Sequence, residues 1–354
     1  MSRYFTSTLA TLEPYTPGEQ LKIPNLIKLN ANENPYPPAP GVAAAVAAQV
    51  DGLRLYSDLT EAKLCAAIAK QCGVRPENVL CGNGSDENLL LAIRAFCDGV
   101  HPLAYADITY SFYPVLCDLL HVPSKILPLE EDFSIDLTKY YGLRGCTIVI
   151  ANPNAPTSLA RSAAELEEVI RRNPDSIVII DEAYVDFAPA GTSCVPLVEK
   201  YPNLIVTQTF SKSRNLAGAR LGFAIADPAL IADMNRVKFS YSPYNINSLS
   251  EAAGAAAMED TAYFTKTISK ICETRQHTAA RLRDMGFTVL DSATNFLFAT
   301  TDRMPCADIF RRLRERGILI RYFSAPRIDN WLRITIGTPE QMQALLAAIG
   351  EILE

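Results

Sequence analysis

Histidine and tryptophan are scarce in this chain, with three and one among 354 residues. His101, His121 and His277 lie far apart, and none stands at metal-ligand spacing from another histidine or a cysteine. That excludes the usual zinc arrangements, and no metal is expected. The nine cysteines are an odd, scattered set without a Cys-x-x-Cys pair. Buried, reduced thiols of a cytoplasmic protein are therefore expected, not a disulfide frame. No apolar run approaches the roughly 20 residues that span a bilayer. Met1 to Gln20 lacks a basic start followed by an apolar stretch, so no signal peptide is expected. Positive charge is not in excess either: 33 Lys and Arg face 39 Asp and Glu, a net charge of -6. That balance argues against nucleic acid or an anionic membrane as partner. Any anion site must be a local cluster of arginines and backbone N–H groups. There are no repeats and no low-complexity segments.

What is present suits a globular protein. Hydrophobic residues make up 49% and charged residues 20% of the chain, which allows a sizeable core. Residues 1–40 are polar and proline-rich and read as an extended arm. Alanine-rich 41–50 and amphipathic 58–71 read as helices. Residues 78–81 form a short strand, 82–85 a turn, and 86–97 a helix. The runs 146–151, 176–180, 204–207 and 221–226 are short, β-branched and continuously apolar. That is the pattern of strands buried on both faces, so we expect an α/β fold with a doubly wound, mostly parallel sheet. After Pro243 the pattern changes to a long helical region at 248–285. Strands at 287–290, 295–299, 318–322 and 331–336 follow, with helices at 307–317 and from 339. The expected division is an arm (1–40) joining a small C-terminal α+β domain (246–354), with a large domain (41–245) between them.

Chemistry concentrates at strand ends. Lys212 follows the apolar run Leu204–Val206, among Thr209, Ser211 and Ser213, with Arg220 eight positions later. A lysine there can form a Schiff base with an aldehyde while hydroxyls and an arginine hold a phosphate. A lone lysine in a polar loop would otherwise be a surface residue. Asp181 ends the run Ile177–Ile180 and Tyr184 follows, where open α/β sheets bind ligands. A magnesium-binding nucleotide hydrolase would need a Gly-x-x-x-x-Gly-Lys-Ser/Thr loop, and the chain has none. Gly82-Asn83-Gly84-Ser85-Asp86-Glu87 joins a strand to a helix, either as an anion nest or as a plain turn. Asn152 to Ser158 reads as a rigid loop. Arg321 and Arg333 lie inside predicted strands, where an arginine grips an acid or simply faces outward. Tyr15, Tyr56 and Tyr110 are aromatic candidates.

In this order the motifs resemble the pyridoxal-phosphate aminotransferases of the aspartate-aminotransferase fold, and among them the histidinol-phosphate aminotransferase family. The resemblance runs from Leu12-Glu13-Pro14-Tyr15 through Leu29-Asn30-Ala31-Asn32-Glu33-Asn34-Pro35 to Leu332-Arg333-Ile334-Thr335-Ile336-Gly337-Thr338. It implies that Lys212 binds the aldehyde of pyridoxal phosphate and later serves as base and acid. Asp181 would pair with the ring nitrogen, Tyr184 with the phenolic oxygen, and Tyr110 would stack on the ring. Ser211, Arg220, the hydroxyl of Thr209 and the backbone at Ser85 and Asp86 would hold the phosphate. Tyr56 would reach the phosphate of a second subunit, which implies a homodimer. Arg321 and Arg333 would bind the acidic end of the substrate, with Tyr15 and Asn32 beside them. The implied reaction joins histidinol phosphate and 2-oxoglutarate in histidine biosynthesis. Phosphothreonine decarboxylases and broader aromatic aminotransferases share these motifs. A non-catalytic cofactor-binding regulator is disfavoured by intact Lys212 and Asp181. One position departs from the family: Ala155 stands where an asparagine contacts the phenolic oxygen, and Asn154 is expected to take its place.

Overall fold

The computed structural model describes residues 2–16 and 18–354. Its centre is a seven-stranded sheet. The strand order is Val79–Gly82, Gly222–Ala226, Leu204–Thr209, Val178–Asp181, Thr147–Ala151, Leu103–Ala106, Ser124–Leu127. Neighbours from Leu204–Thr209 to Ser124–Leu127 run parallel, while Gly222–Ala226 is antiparallel to both strands beside it. The apolar runs have a simple cause. Ile148, Ile150, Val178, Ile180, Leu204 and Val206 enter one core, whereas Val149, Ile179 and Ile205 enter another on the opposite face. Each such side chain contributes roughly 1.5–3 kcal/mol on burial, so neither face tolerates polar residues. The mostly parallel sheet with helices on both faces is the architecture expected.

The long helical region is two helices, Ser248–Glu259 and Thr261–Asp284. Asp260 separates them because its carboxylate accepts the N–H of Tyr263 and caps the second helix. Ala253, Ala257 and Met258 of the first helix enter the core under the large sheet. The change of packing therefore comes later in the chain than the division at 246. Beyond it lies a four-stranded antiparallel sheet in the order Arg321–Tyr322, Leu332–Thr335, Phe296–Thr300, Thr288–Val289. The helices Thr261–Asp284, Cys306–Glu315 and Pro339–Leu353 cover it. The arm joins this unit: Ile27–Lys28 pairs in parallel with Ile318–Leu319, and Leu29 enters its core. Among the described residues no helix is long and apolar enough to cross a membrane.

Candidate active site

Parallel strands bring their C-terminal ends to one edge. Ala151, Asp181 and Thr207 stand side by side in register there. The loops that follow carry Asn154, Tyr184 and Lys212, so residues far apart in sequence converge. Asp181 is buried at the end of a strand whose residues Val178, Ile179 and Ile180 are fully buried. Desolvation raises its carboxyl to about 6, with Tyr113 pulling it down and Asp86 pushing it up. Above that pH the group is an anion.

Lys212 is half-buried, and its Nζ donates to the carbonyl of Ala31 at 3.2 Å. The amine lies 5.9 Å from the centre of the Tyr184 ring. Burial, and then the charge of Arg333, lower its pKa to about 8, while Asp86 and Glu33 act against this. At pH 7 roughly a tenth of the amine is uncharged, far more than for an exposed lysine. A pulse of amine-acylating reagent, read by peptide mass spectrometry, is expected to label Lys212 with a midpoint near pH 8. Exposed lysines should rise nearer pH 10. A shared midpoint would contradict the buried setting.

The small sheet supplies the cations. Arg321 and Arg333 are direct cross-strand partners, so both side chains leave the same face. Arg333 lies between the rings of Phe296 and Phe323, at 5.4 and 5.7 Å, and donates one bond, to Asn30 O at 3.1 Å. Among the described residues its buried Nε has no partner. Such an atom costs free energy until an acceptor arrives. Arg321 donates to Thr16 O at 3.3 Å.

Arg220 and the start of the Ser85–Phe96 helix form a candidate anion cradle. The Ser85–Phe96 helix begins at Ser85, with Gly84 at φ +85° as its N-cap. Helix N-termini carry free N–H groups and partial positive charge. Arg220 reaches Ser211 Oγ at 3.4 Å and Asp86 Oδ2 at 3.3 Å, and Tyr110 donates to Asp86 Oδ1 at 2.9 Å. The backbones approach so closely that a Cβ on Gly222 would lie 2.2 Å from Ser85 N. The cradle therefore requires glycine at 222. An N-terminus, an arginine and a hydroxyl around a floor without side chains suit a phosphate. A buried carboxylate and a low-pKa amine suit a protonated ring nitrogen and an aldehyde. Among the described residues no cluster of three or more metal-ligating side chains occurs.

Some expectations change. Asn154 donates one amide hydrogen to Ile108 O at 3.0 Å and the other to Thr157 Oγ1 at 2.9 Å, and Thr109 donates to its Oδ1 at 2.7 Å. With both hydrogens spent it has none for a cofactor oxygen, so it does not replace the asparagine missing at 155. It lines a separate cavity of about 430 Å³ with Thr109, Phe133, Thr157 and Leu290, which none of Lys212, Asp181 and Arg333 lines. Thr209 is likewise committed: its hydroxyl donates to Leu221 O at 3.3 Å and accepts from Ser211 N at 3.1 Å. It shapes the loop and offers no hydrogen to a phosphate. Asn32 is buried at φ +54° and donates to Tyr184 Oη at 3.0 Å, while Thr335 holds its other end. Tyr15 sets its ring edge against Tyr110 and Phe112 at about 6 Å. Tyr56 is largely exposed and stacks on Tyr244 at 4.4 Å.

Sequence reasoning missed Phe112, Tyr113 and Thr335. Tyr113 donates to Asp181 Oδ2 at 2.7 Å. The signal available for it was an aromatic three residues beyond Tyr110, one turn along the same segment.

Residues 24–349 match the family of class I and II aminotransferases. The histidinol-phosphate aminotransferase 1 of Bordetella parapertussis is 48% identical over 355 residues, covering 99% of each chain. The histidinol-phosphate aminotransferase of Aromatoleum aromaticum is 45% identical over 357 residues, covering 100% of each. Among solved structures, the histidinol-phosphate aminotransferase from Sinorhizobium meliloti in complex with pyridoxal-5'-phosphate superposes with a TM-score of 0.89 at 25% identity. The match covers 100% of this chain and 98% of that one. With matching sequence along its whole length and the matching fold around Lys212, the chain belongs to the class I and II aminotransferases, and within them to the histidinol-phosphate aminotransferase family.

Proposed function

We propose that this chain is a homodimeric, cytoplasmic, pyridoxal-phosphate-dependent transaminase that passes an amino group between histidinol phosphate and 2-oxoglutarate. The observation that carries the reading is the cross-strand pair of Arg321 and Arg333, of which Arg333 acts on Lys212. Like charges directly opposite one another destabilise a sheet, and an anionic ligand reverses that sign. Histidinol phosphate presents a phosphate and 2-oxoglutarate a carboxylate, and guanidinium forks match both.

The residues fit pyridoxal phosphate. Ser211, Arg220 and the N–H groups at Ser85 and Asp86 would hold its phosphate, and Tyr110 would lie on its ring. Asp181 would face the ring nitrogen, Tyr184 the phenolic oxygen and Lys212 the aldehyde. When bound, the cofactor supplies an electron-withdrawing ring that stabilises negative charge at the substrate's reacting carbon. Lys212 Nζ would take a proton from that carbon and return it in a 1,3 shift near neutral pH, as its lowered pKa allows. Arg333 and Arg321 orient the acidic end, and Tyr15, against Tyr110 and Phe112, covers it from the arm. Asn32 occupies a lone pair of Tyr184 and so directs its hydrogen.

Tyr56, Leu53, Leu55, Tyr241 and Tyr244 are exposed. A second copy covering them would bury this apolar surface and would bring Tyr56 to the partner's phosphate. The nine unbridged cysteines accord with a reducing compartment.

The test is a donor panel with 2-oxoglutarate: histidinol phosphate, phosphothreonine, phenylalanine and tyrosine. Glutamate should form from histidinol phosphate with kcat/KM at least about tenfold above the others. Carbon dioxide released from phosphothreonine without glutamate would mark a decarboxylase instead.

A further inference from the structure

Asp181 is gripped from an element that the sequence did not reveal. Tyr113 is the second residue of the Phe112–Leu120 helix and is completely buried. Its hydroxyl donates to Asp181 Oδ2 at 2.7 Å. The other oxygen, Oδ1, receives only two long bonds, from Thr207 Oγ1 and Ala183 N, each at 3.3 Å. The Tyr113 ring also abuts Tyr110, centroid to centroid 5.6 Å and nearly perpendicular, with Tyr105 beside it at 6.0 Å.

We propose that Tyr113 is a positioning residue: its hydroxyl occupies Asp181 Oδ2, leaves Oδ1 to the cofactor's ring nitrogen, and keeps the carboxylate charged. The inference rests on the transaminase reading above. Tyr113 stays protonated and so donates to the carboxylate, because burial and then the neighbouring Asp181 raise its pKa well above that of an ordinary tyrosine. Among the described residues, three titratable side chains act on Asp181: Asp86 from the Ser85–Phe96 helix, Tyr113, and Tyr184 from the loop after its own strand. Burial pushes Asp181 up, Asp86 adds to the rise, and Tyr113 is the foremost group opposing it. Without the hydroxyl the carboxyl takes up a proton closer to neutral pH. A neutral carboxyl cannot hold a proton on the ring nitrogen. The same ring contacts Tyr110, so one residue would set both the charge of Asp181 and the placement of Tyr110.

The test uses full-length protein carrying Tyr113→Phe, which keeps the ring and removes the oxygen. The control is Tyr105→Phe, which removes a hydroxyl bonded to Ser124 at 2.8 Å, away from Asp181. Carbon-13 titration of the aspartate carboxyls in cofactor-free protein, with Asp181→Asn for assignment, reads Asp181 directly. In Tyr113→Phe its midpoint is expected to rise by at least about one pH unit, a tenfold change in proton affinity. In loaded protein a one-unit rise from about 6 should lower kcat at pH 7 about twofold, with recovery as pH is raised, and leave the KM for 2-oxoglutarate within about twofold. Tyr105→Phe should change none of these. An Asp181 midpoint and a pH profile that match the control would overturn the proposal. Should Tyr113→Phe fail to fold, 3-fluorotyrosine placed at 113, a stronger donor of nearly the same shape, should move the midpoint down; no movement would overturn it equally. The carboxyl titration needs no cofactor and no turnover, so failure of the transaminase reading would appear separately, as a wild-type protein that forms no glutamate.

Discussion

Lys212→Ala should lower turnover with histidinol phosphate by about 10⁴-fold, at the upper end of what a positioned acid–base group supplies. The side chain has two tasks in the proposed reaction, covalent attachment and proton transfer, and no nearby group can assume both. Tyr184 is a phenol whose pKa burial raises further, so it is a poor base at pH 7. The arginines are fully charged. The substitution should spare the fold. Lys212 Nζ makes one hydrogen bond, to Ala31 O, and the backbone oxygen of Lys212 keeps its bond from Asn34. Circular dichroism and thermal melting should therefore match the parent, while the cofactor's visible absorbance changes and a small added amine restores part of the rate. A variant with more than about 1% of parental turnover, well above the residue expected from the loss of this group, would remove Lys212 from the mechanism.

The second large effect is expected at Arg333. Arg333→Leu should reduce kcat/KM by about 10²–10³-fold for histidinol phosphate and for 2-oxoglutarate alike. Two hydrogen bonds to a charged group are worth roughly 3–5 kcal/mol together, and tenfold corresponds to about 1.4 kcal/mol. Stability should not fall with activity. Arg333 is half-buried between Phe296 and Phe323, with its Nε buried and unpartnered among the described residues, and replacing a poorly compensated charge with an apolar side chain is often neutral or stabilising. An equal or higher denaturant midpoint together with lost activity is the signature of a residue kept for its ligand. Arg333→Lys should restore little, because an ammonium lacks the planar fork. If Arg333→Leu lowered stability and left kcat/KM within threefold of the parent, the arginine would be structural, since a change that small is well under 1 kcal/mol.

These two residues were legible in sequence for different reasons. Lys212 follows a run that is apolar at every position because the sheet is buried on both faces, so the first polar tract after it had to lie at the sheet's edge. Arg333 was visible as a charge within Leu332–Ile336. Its cross-strand partner was not, since pairing with Arg321 depends on register. The Phe112–Leu120 helix was hidden because Pro114 sits in its first turn, where proline is tolerated but reads as a breaker. The edge strand Ser124–Leu127 was hidden by its polar, exposed residues.

Asn154 shows the limit most clearly. A shift of one position along a loop, from 155 to 154, preserves the chemistry of the amide but not its direction. Thr109 and Ile108, more than forty residues earlier, decide that direction by taking its donors and acceptor. Thr209 is decided in the same way by Leu221. By itself the sequence determined the layered architecture, the strand ends that carry Asp181 and Lys212, and the glycines on which the anion cradle is built. These follow from burial and backbone freedom, which act locally and leave a periodic trace. Only the tertiary structure decided that Tyr113 holds Asp181, that Asn32 holds Tyr184, and that Arg321 faces Arg333. Each of those bonds joins different elements, and its length depends on packing and register that no local pattern records.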